Sequence, residues 1–323
     1  VRRPATLLLA ATLALPAGLL AACSGGSAAP STSASTPSST DTATATASAA
    51  DLATLDAIQV SGDPGATPTV TFDTPLSVGA TVAKVDTKGT GEPIPAGAMV
   101  KVNYALFSGD DGSMVGSTWD DKTPEVIPLT GLDPVFEPLV NALVGAPLGS
   151  RIVVALPGTA ATSTAEASPS SVMVLEAFEN VPLRAEGTAV TPPAGLPVVT
   201  LAADGTPSIS VPAGTTEPTD LVTQTLIKGA GAEVKSGDTI TVEYSGWLWD
   251  GTEFDSSWGK NPFQTQIGSG SVIQGWDQGL VGQTVGSQVL LVIPPSLGYG
   301  DTEQGTIPAN STLIFVVDIL AAT

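Results

Sequence analysis

Several stretches of this chain occur twice, in the same order. Lys88-Gly89-Thr90-Gly91 matches Lys228-Gly229-Ala230-Gly231, and Val100-Lys101-Val102-Asn103-Tyr104 matches Ile240-Thr241-Val242-Glu243-Tyr244. Farther on, residues 144–150 (V-G-A-P-L-G-S) match residues 281–287 (V-G-Q-T-V-G-S), and both run into an apolar segment, Ile152 to Leu156 and Val289 to Ile293. Upstream, Thr67 to Phe72 parallels Thr206 to Val211. Ordered matches of this kind define a repeated module, so the chain is expected to build one core twice. At 323 residues it has room for both.

The module reads mostly as strand. Residues 100–104 and 240–244 alternate with period two, and each is followed by an Asp-Gly turn. Val272, Trp276 and Leu280 recur at four-residue spacing, with Gly282 and Gly286 beyond as stop signals, which predicts one short helix. A last strand over Thr312 to Leu320 sets Leu313, Phe315, Val317 and Ile319 on one face. The expected class is α+β: two modules, each an antiparallel β-sheet wrapped around one short α-helix.

The ends and joints differ in composition. Arg2 and Arg3, an apolar run from Leu7 to Leu20, and Leu20-Ala21-Ala22-Cys23 follow an export pattern. Residues 1–23 resemble a bacterial lipoprotein signal, which implies acylation at Cys23 and a lipid anchor on the extracytoplasmic face of the membrane. A plain secretory signal is the simpler alternative. Residues 24–50 are Ser, Thr, Ala, Gly and Pro almost throughout, and predict a disordered tether. Residues 51–180 hold the first module and residues 218–323 the second. Between them, residues 181–217 form a linker rich in Pro, Gly and Thr that is expected to add an extended strand to the second module.

Charge and residue types exclude several classes of function. Eleven Lys and Arg against thirty-one Asp and Glu give a net charge of -20, which repels phosphate backbones and argues against nucleic-acid binding. There is no histidine and one cysteine, so histidine catalysis, intrachain disulfides and Cys- or His-based metal sites are ruled out. No metal or cofactor is expected.

Aromatic residues are scarce, 5% of the chain, yet they crowd between Tyr244 and Phe315. Such crowding points to a rigid core or to an apolar pocket lined by ring faces. The order of the residues bears on the choice. Tyr244 in V-E-Y-S-G, Phe254-Asp255, Phe263 after a proline, Val272-Ile273-Gln274-Gly275-Trp276, Tyr299 in G-Y-G, Ile307-Pro308 and Phe315 together resemble the FKBP-type peptidyl-prolyl isomerases. The resemblance covers roughly residues 218–323. It implies a pocket with Trp276 as floor and Tyr244, Phe254, Phe263, Val272, Ile273 and Phe315 around the substrate. It further implies that the Tyr299 hydroxyl and the Ile307 backbone N–H hold substrate carbonyls, while Asp255 polarises the rim. Thr265, where the family often has another ring, and the loop from Asp301 to Thr306 depart from the pattern at the pocket rim.

The first copy keeps Tyr104 but has Val115-Gly116 for the Phe-Asp pair, Glu125 for Phe263 and Leu139 for Trp276. It is expected to be inactive. The activity implied is rotation of X-Pro bonds in exported, proline-containing polypeptides, with macrolides as further ligands of the family. A surface module that binds proline-containing peptides without turnover is the alternative.

Overall fold

The computed structural model describes residues 46–160 and 167–323. The export signal, Cys23 and the tether up to residue 45 lie outside these residues, as does part of the first module's last loop.

The described chain opens with helix α1 (Ala49–Ala57). Ser48 accepts the Asp51 N–H, and the Asp51 carboxylate accepts the Ser48 N–H in return. This reciprocal cap starts a helix inside residues 24–50, where composition predicts none. Hairpin β1 (Gln59–Ser61) and β2 (Thr69–Thr71) follows, then β3 (Val82–Thr87), β4 (Met99–Ser108) and β5 (Met114–Ser117). The first module closes with α2 (Thr118–Asp121), β6 (Glu125–Pro128), α3 (Glu137–Leu143), β7 (Arg151–Leu156) and β8 (Ser171–Val181). Its sheet runs β3-β7-β8-β4-β5, with β6 also paired to β4.

Residues 181–217 contribute three strands, where the sequence suggests one. β9 (Gly187–Ala189) extends the second sheet, and β10 (Val198–Leu201) pairs with β11 (Pro207–Ser210) as a separate hairpin. Then come β12 (Val222–Gly229), β13 (Thr239–Leu248), β14 (Glu253–Ser256), β15 (Phe263–Gln266), α4 (Gln274–Leu280), β16 (Gln288–Ile293) and β17 (Leu313–Ala322). This sheet runs β14-β13-β17-β16-β12-β9, with β15 on β13. Strand for strand, the two orders are the same apart from the added β9. The repeat read in the sequence is a repeat of topology.

Each sheet is buried on both faces. In the second, Val242, Leu291, Ile293, Phe315, Val317 and Ile319 pack inward against Trp276 and Leu280 of α4. The opposite face, with Trp247, Leu290, Val292, Ile314 and Val316, is covered by Val199 and Ile209 of the β10–β11 hairpin. In the first module, Leu55, Ile58 and Val70 cover Phe107, Val153, Val172 and Val174 in the same way. Two covered faces explain why residues 289–293 are apolar without alternation.

The Lys-Gly motifs also have a packing cause. A Cβ on Gly229 would collide with the Val285 carbonyl, and one on Gly89 with the Leu148 carbonyl at the equivalent crossing. A second shared device pins the segment ahead of each sheet. In the first module Glu176 accepts the Gly65 N–H at 2.9 Å and lies 3.5 Å from Arg151, both side chains buried. In the second, Asp318 accepts the Ala185 N–H at 2.7 Å and the Gln288 amide at 2.8 Å.

The two modules touch. Met99, Val126 and Val181 of the first pack with Leu320 and Ala321 of the second, and the Gln264 amide donates to the Val126 carbonyl at 2.8 Å. The predicted helix begins two residues late: Ile273 is extended (ψ 148°) and its carbonyl accepts the Trp276 N–H, so Val272 stands ahead of α4. β17 begins at Leu313 and runs to Ala322, past the predicted end.

Candidate functional site

Seven segments bring the singled-out residues of the second module together. β13 carries Tyr244, β14 carries Phe254 and Asp255, and β15 carries Phe263. The extended turn before α4 supplies Val272 and Ile273, α4 supplies Trp276, and β17 supplies Phe315. Tyr299 and Ile307 stand on the long connection from β16 to β17.

The rings form one edge-to-face cluster around the indole. Trp276 meets Tyr244 at 5.4 Å and 85°, Phe315 at 5.4 Å and 89°, and Phe263 at 6.1 Å and 80°. Phe254 packs edge-on to Phe315 at 5.5 Å. Aromatic pairs favour this geometry because the positive edge of one ring meets the negative face of another. Phe263 and Tyr299 lie at the surface, 38% and 37% exposed. Trp276 is 4% exposed, and its indole Nε1 is buried without a hydrogen-bond partner among the described residues. Trp276, the floor that the resemblance implies, is therefore nearly covered by the rings around it.

The polar groups are placed by the strands. Tyr244 donates its hydroxyl to Asp255, and the other oxygen of Asp255 accepts the Ser256 N–H at 2.8 Å. Burial first, and then this carboxylate, push the Tyr244 hydroxyl well above the usual tyrosine range. Tyr299 is raised as well, by burial and by the charge of Asp255, and its hydroxyl donates to no described residue. Both phenols thus stay protonated donors well into alkaline solution.

Ile307 does not fill its expected role. Its N–H donates to the Gln304 carbonyl at 2.9 Å within a tight turn, and its side chain is buried in the core. A backbone group already bonded in this way is not free for a substrate carbonyl. The Ile273 N–H, by contrast, donates to no described residue and sits at the entrance to α4, next to Trp276. Sequence reasoning missed this donor, although the first N–H groups of any helix lack partners. Ser257 was missed too. Its hydroxyl accepts the Tyr244 N–H at 2.9 Å and donates to Glu243, and Thr118 does the same for Tyr104 in the first module.

In the first module, strand register sets Gly116 at the place of Asp255 and Glu125 at that of Phe263. The Tyr104 hydroxyl donates to Glu125 at 2.8 Å. Here a half-buried carboxylate, its pKa raised by desolvation, occupies the position of a pocket ring.

Residues 231–320 match the family model described as FKBP-type peptidyl-prolyl cis-trans isomerase. Among proteins of known kind, the chain is 42% identical over 106 residues to FK506-binding protein 1 of Aspergillus oryzae, covering 29% of this chain and 91% of that one. It is 42% identical over 119 residues to the FK506-binding protein of Streptomyces anulatus, covering 36% of this chain and 95% of that one. It is 51% identical over 98 residues to peptidyl-prolyl cis-trans isomerase FKBP15-2 of Arabidopsis thaliana, covering 29% of this chain and 59% of that one. The chain belongs to the FKBP-type peptidyl-prolyl cis-trans isomerases, and its enzymatic class is rotation of X-Pro bonds.

Proposed function

We propose that the ring cluster around Trp276 is the isomerase site, and that the enzyme assists folding of exported proteins. The observation that carries this reading is the convergence of three rings on Trp276, with Phe254 packed on one of them, beside Asp255 and a Tyr299 hydroxyl that donates to no described residue.

Turning an amide costs about 18–20 kcal/mol, because conjugation is lost at the perpendicular geometry. X-Pro bonds populate both isomers and exchange over roughly tens of seconds unaided. No covalent bond forms or breaks, so neither a nucleophile nor a proton relay is required. The twisted bond has lost much of its C=O dipole, and an apolar ring-lined site favours it over the planar form that water solvates better. A thousandfold acceleration requires about 4 kcal/mol of such preference.

The proline ring approaches Trp276 between Phe263 and Tyr299, the two rings with the most exposed surface, and displaces the edge of Phe263. The Ile273 N–H and the Tyr299 hydroxyl hold substrate carbonyls, Ile273 taking the part first assigned to Ile307. Asp255, fixed by Tyr244, sets the field at the rim. The first module, with Leu139 and Glu125 at the ring positions, does not isomerise. Cys23 carries a lipid that keeps the enzyme at the extracytoplasmic face of the membrane, where proline-containing exported chains are its substrates. Macrolides are ligands of the same site.

The alternative is peptide capture without turnover. Refolding of a proline-limited protein separates the two. Acceleration of the slow phase by the full chain supports the enzyme. An unchanged slow phase together with peptide binding supports capture alone.

A further inference from the structure

A cavity of about 590 Å3 lies beside the ring cluster, and the two share Phe254 and Asp255. One wall is strand β14 and the segment after it, with Glu253, Asp255, Trp258 and Lys260. The facing wall is the tip of the β10–β11 hairpin, with Asp204 and Thr206. The hairpin lies outside the region matched by the family model, residues 231–320. One side of the cavity is therefore an addition of this chain.

The added wall is fixed in place. Gly205 has φ +98°, and a Cβ there would stand 3.2 Å from the Trp258 ring and 3.1 Å from Arg184. Glycine suits both the backbone angle and the close approach. The turn is closed by the Ala202 N–H on the Thr206 carbonyl at 2.9 Å and by the Thr206 N–H on the Asp204 carboxylate at 3.0 Å.

The charges on the walls do not balance. Asp204, Glu253 and Asp255 are all exposed carboxylates. Lys260, the one cation in the lining, turns its ammonium onto the Ser256 carbonyl at 2.8 Å. Arg184 acts on Asp204 and reaches the Ala203 carbonyl at 3.4 Å, but it does not line the cavity. Trp258 adds a ring against which an alkyl stem or a guanidinium plane can lie.

We propose that this cleft takes a lysine or arginine side chain close to the proline, so that the enzyme selects cationic proline-containing segments. The proposal rests on the isomerase reading of the ring site. A chain with its proline at Trp276 passes Asp255, which with Phe254 is common to both sites, and its neighbouring side chain then enters the cleft.

Peptides that differ only in Lys, Glu or Leu, placed on the N-terminal or the C-terminal side of the proline, test it with the full chain. Both kcat/KM and, by fluorescence titration, Kd are read. At one placement the Lys peptide is expected to exceed the Glu peptide about fivefold or more in low salt, with the ratio shrinking in high salt. The double variant Asp204→Asn with Glu253→Gln is expected to bring the ratio close to one and to leave the Leu peptide within about twofold of wild type. A Lys-to-Glu ratio near one at both placements overturns the proposal, as does a ratio that the double variant leaves unmoved. Failure to turn over any peptide counts against the isomerase reading instead, and the Kd ratio then still decides the cleft.

Discussion

Leu139 on α3 and Trp276 on α4 occupy the same place in their helices, and both are buried. Two residues with one packing duty differ in what they offer a ligand. Trp276→Leu is therefore expected to lower kcat/KM on an X-Pro peptide by at least about tenfold, roughly 1.4 kcal/mol of transition-state binding. Trp276→Ala should cost more in stability, about 3–5 kcal/mol, because it leaves a cavity. Thermal melting of the two variants separates the effects. Asp255→Val removes the acceptor of the Tyr244 hydroxyl, and about a tenfold loss of kcat/KM with little change in melting temperature is expected. The pH profile carries its own test. With no histidine in the chain and both phenols shifted upward, the hydroxyl donors keep their protons as pH rises, so kcat/KM should be flat from about pH 6 to 9. A fall in rate across that window would show that a group outside this account takes part.

At the scale of elements, period and punctuation carried most of the reading. Alternation marked β4 and β13, and the unbroken apolar run marked β16, whose two covered faces only the fold shows. What covers it was not legible, since β10 and β11 are short and mostly exposed and their burial partners lie across the sheet. Nor was the start of α4, because Val272 keeps helical spacing while the chain there is extended. The ring residues were readable from their order. How far the rings close over Trp276 depends on packing that a linear sequence does not state. Ile307 was misassigned for the same reason, since only the folded turn shows that its N–H is bonded to Gln304. These elements give a stability prediction. A fragment of residues 218–323 lacks the hairpin that covers Trp247, Leu290 and Ile314, so it should be less stable than residues 182–323 by about 3 kcal/mol or more. Chemical denaturation of the two fragments measures the difference.

As a whole, the molecule sets a ring-lined module beside a copy whose ring positions hold Leu139 and Glu125. The first copy packs against Leu320 and Ala321 and against the strand that bears Phe263, so its removal is expected to weaken the second module without abolishing its activity. The whole account stands on one property of the Trp276 site, a preference for the twisted X-Pro bond over the planar one. The most direct measurement is the rate of cis-to-trans conversion of a short X-Pro peptide with wild-type chain and with Trp276→Leu. The account predicts a wild-type acceleration of about a thousandfold or more at saturation, and at least a tenfold loss in the variant. A wild type that binds the peptide but leaves its isomerisation at the uncatalysed rate would contradict it, and so would a variant as fast as wild type.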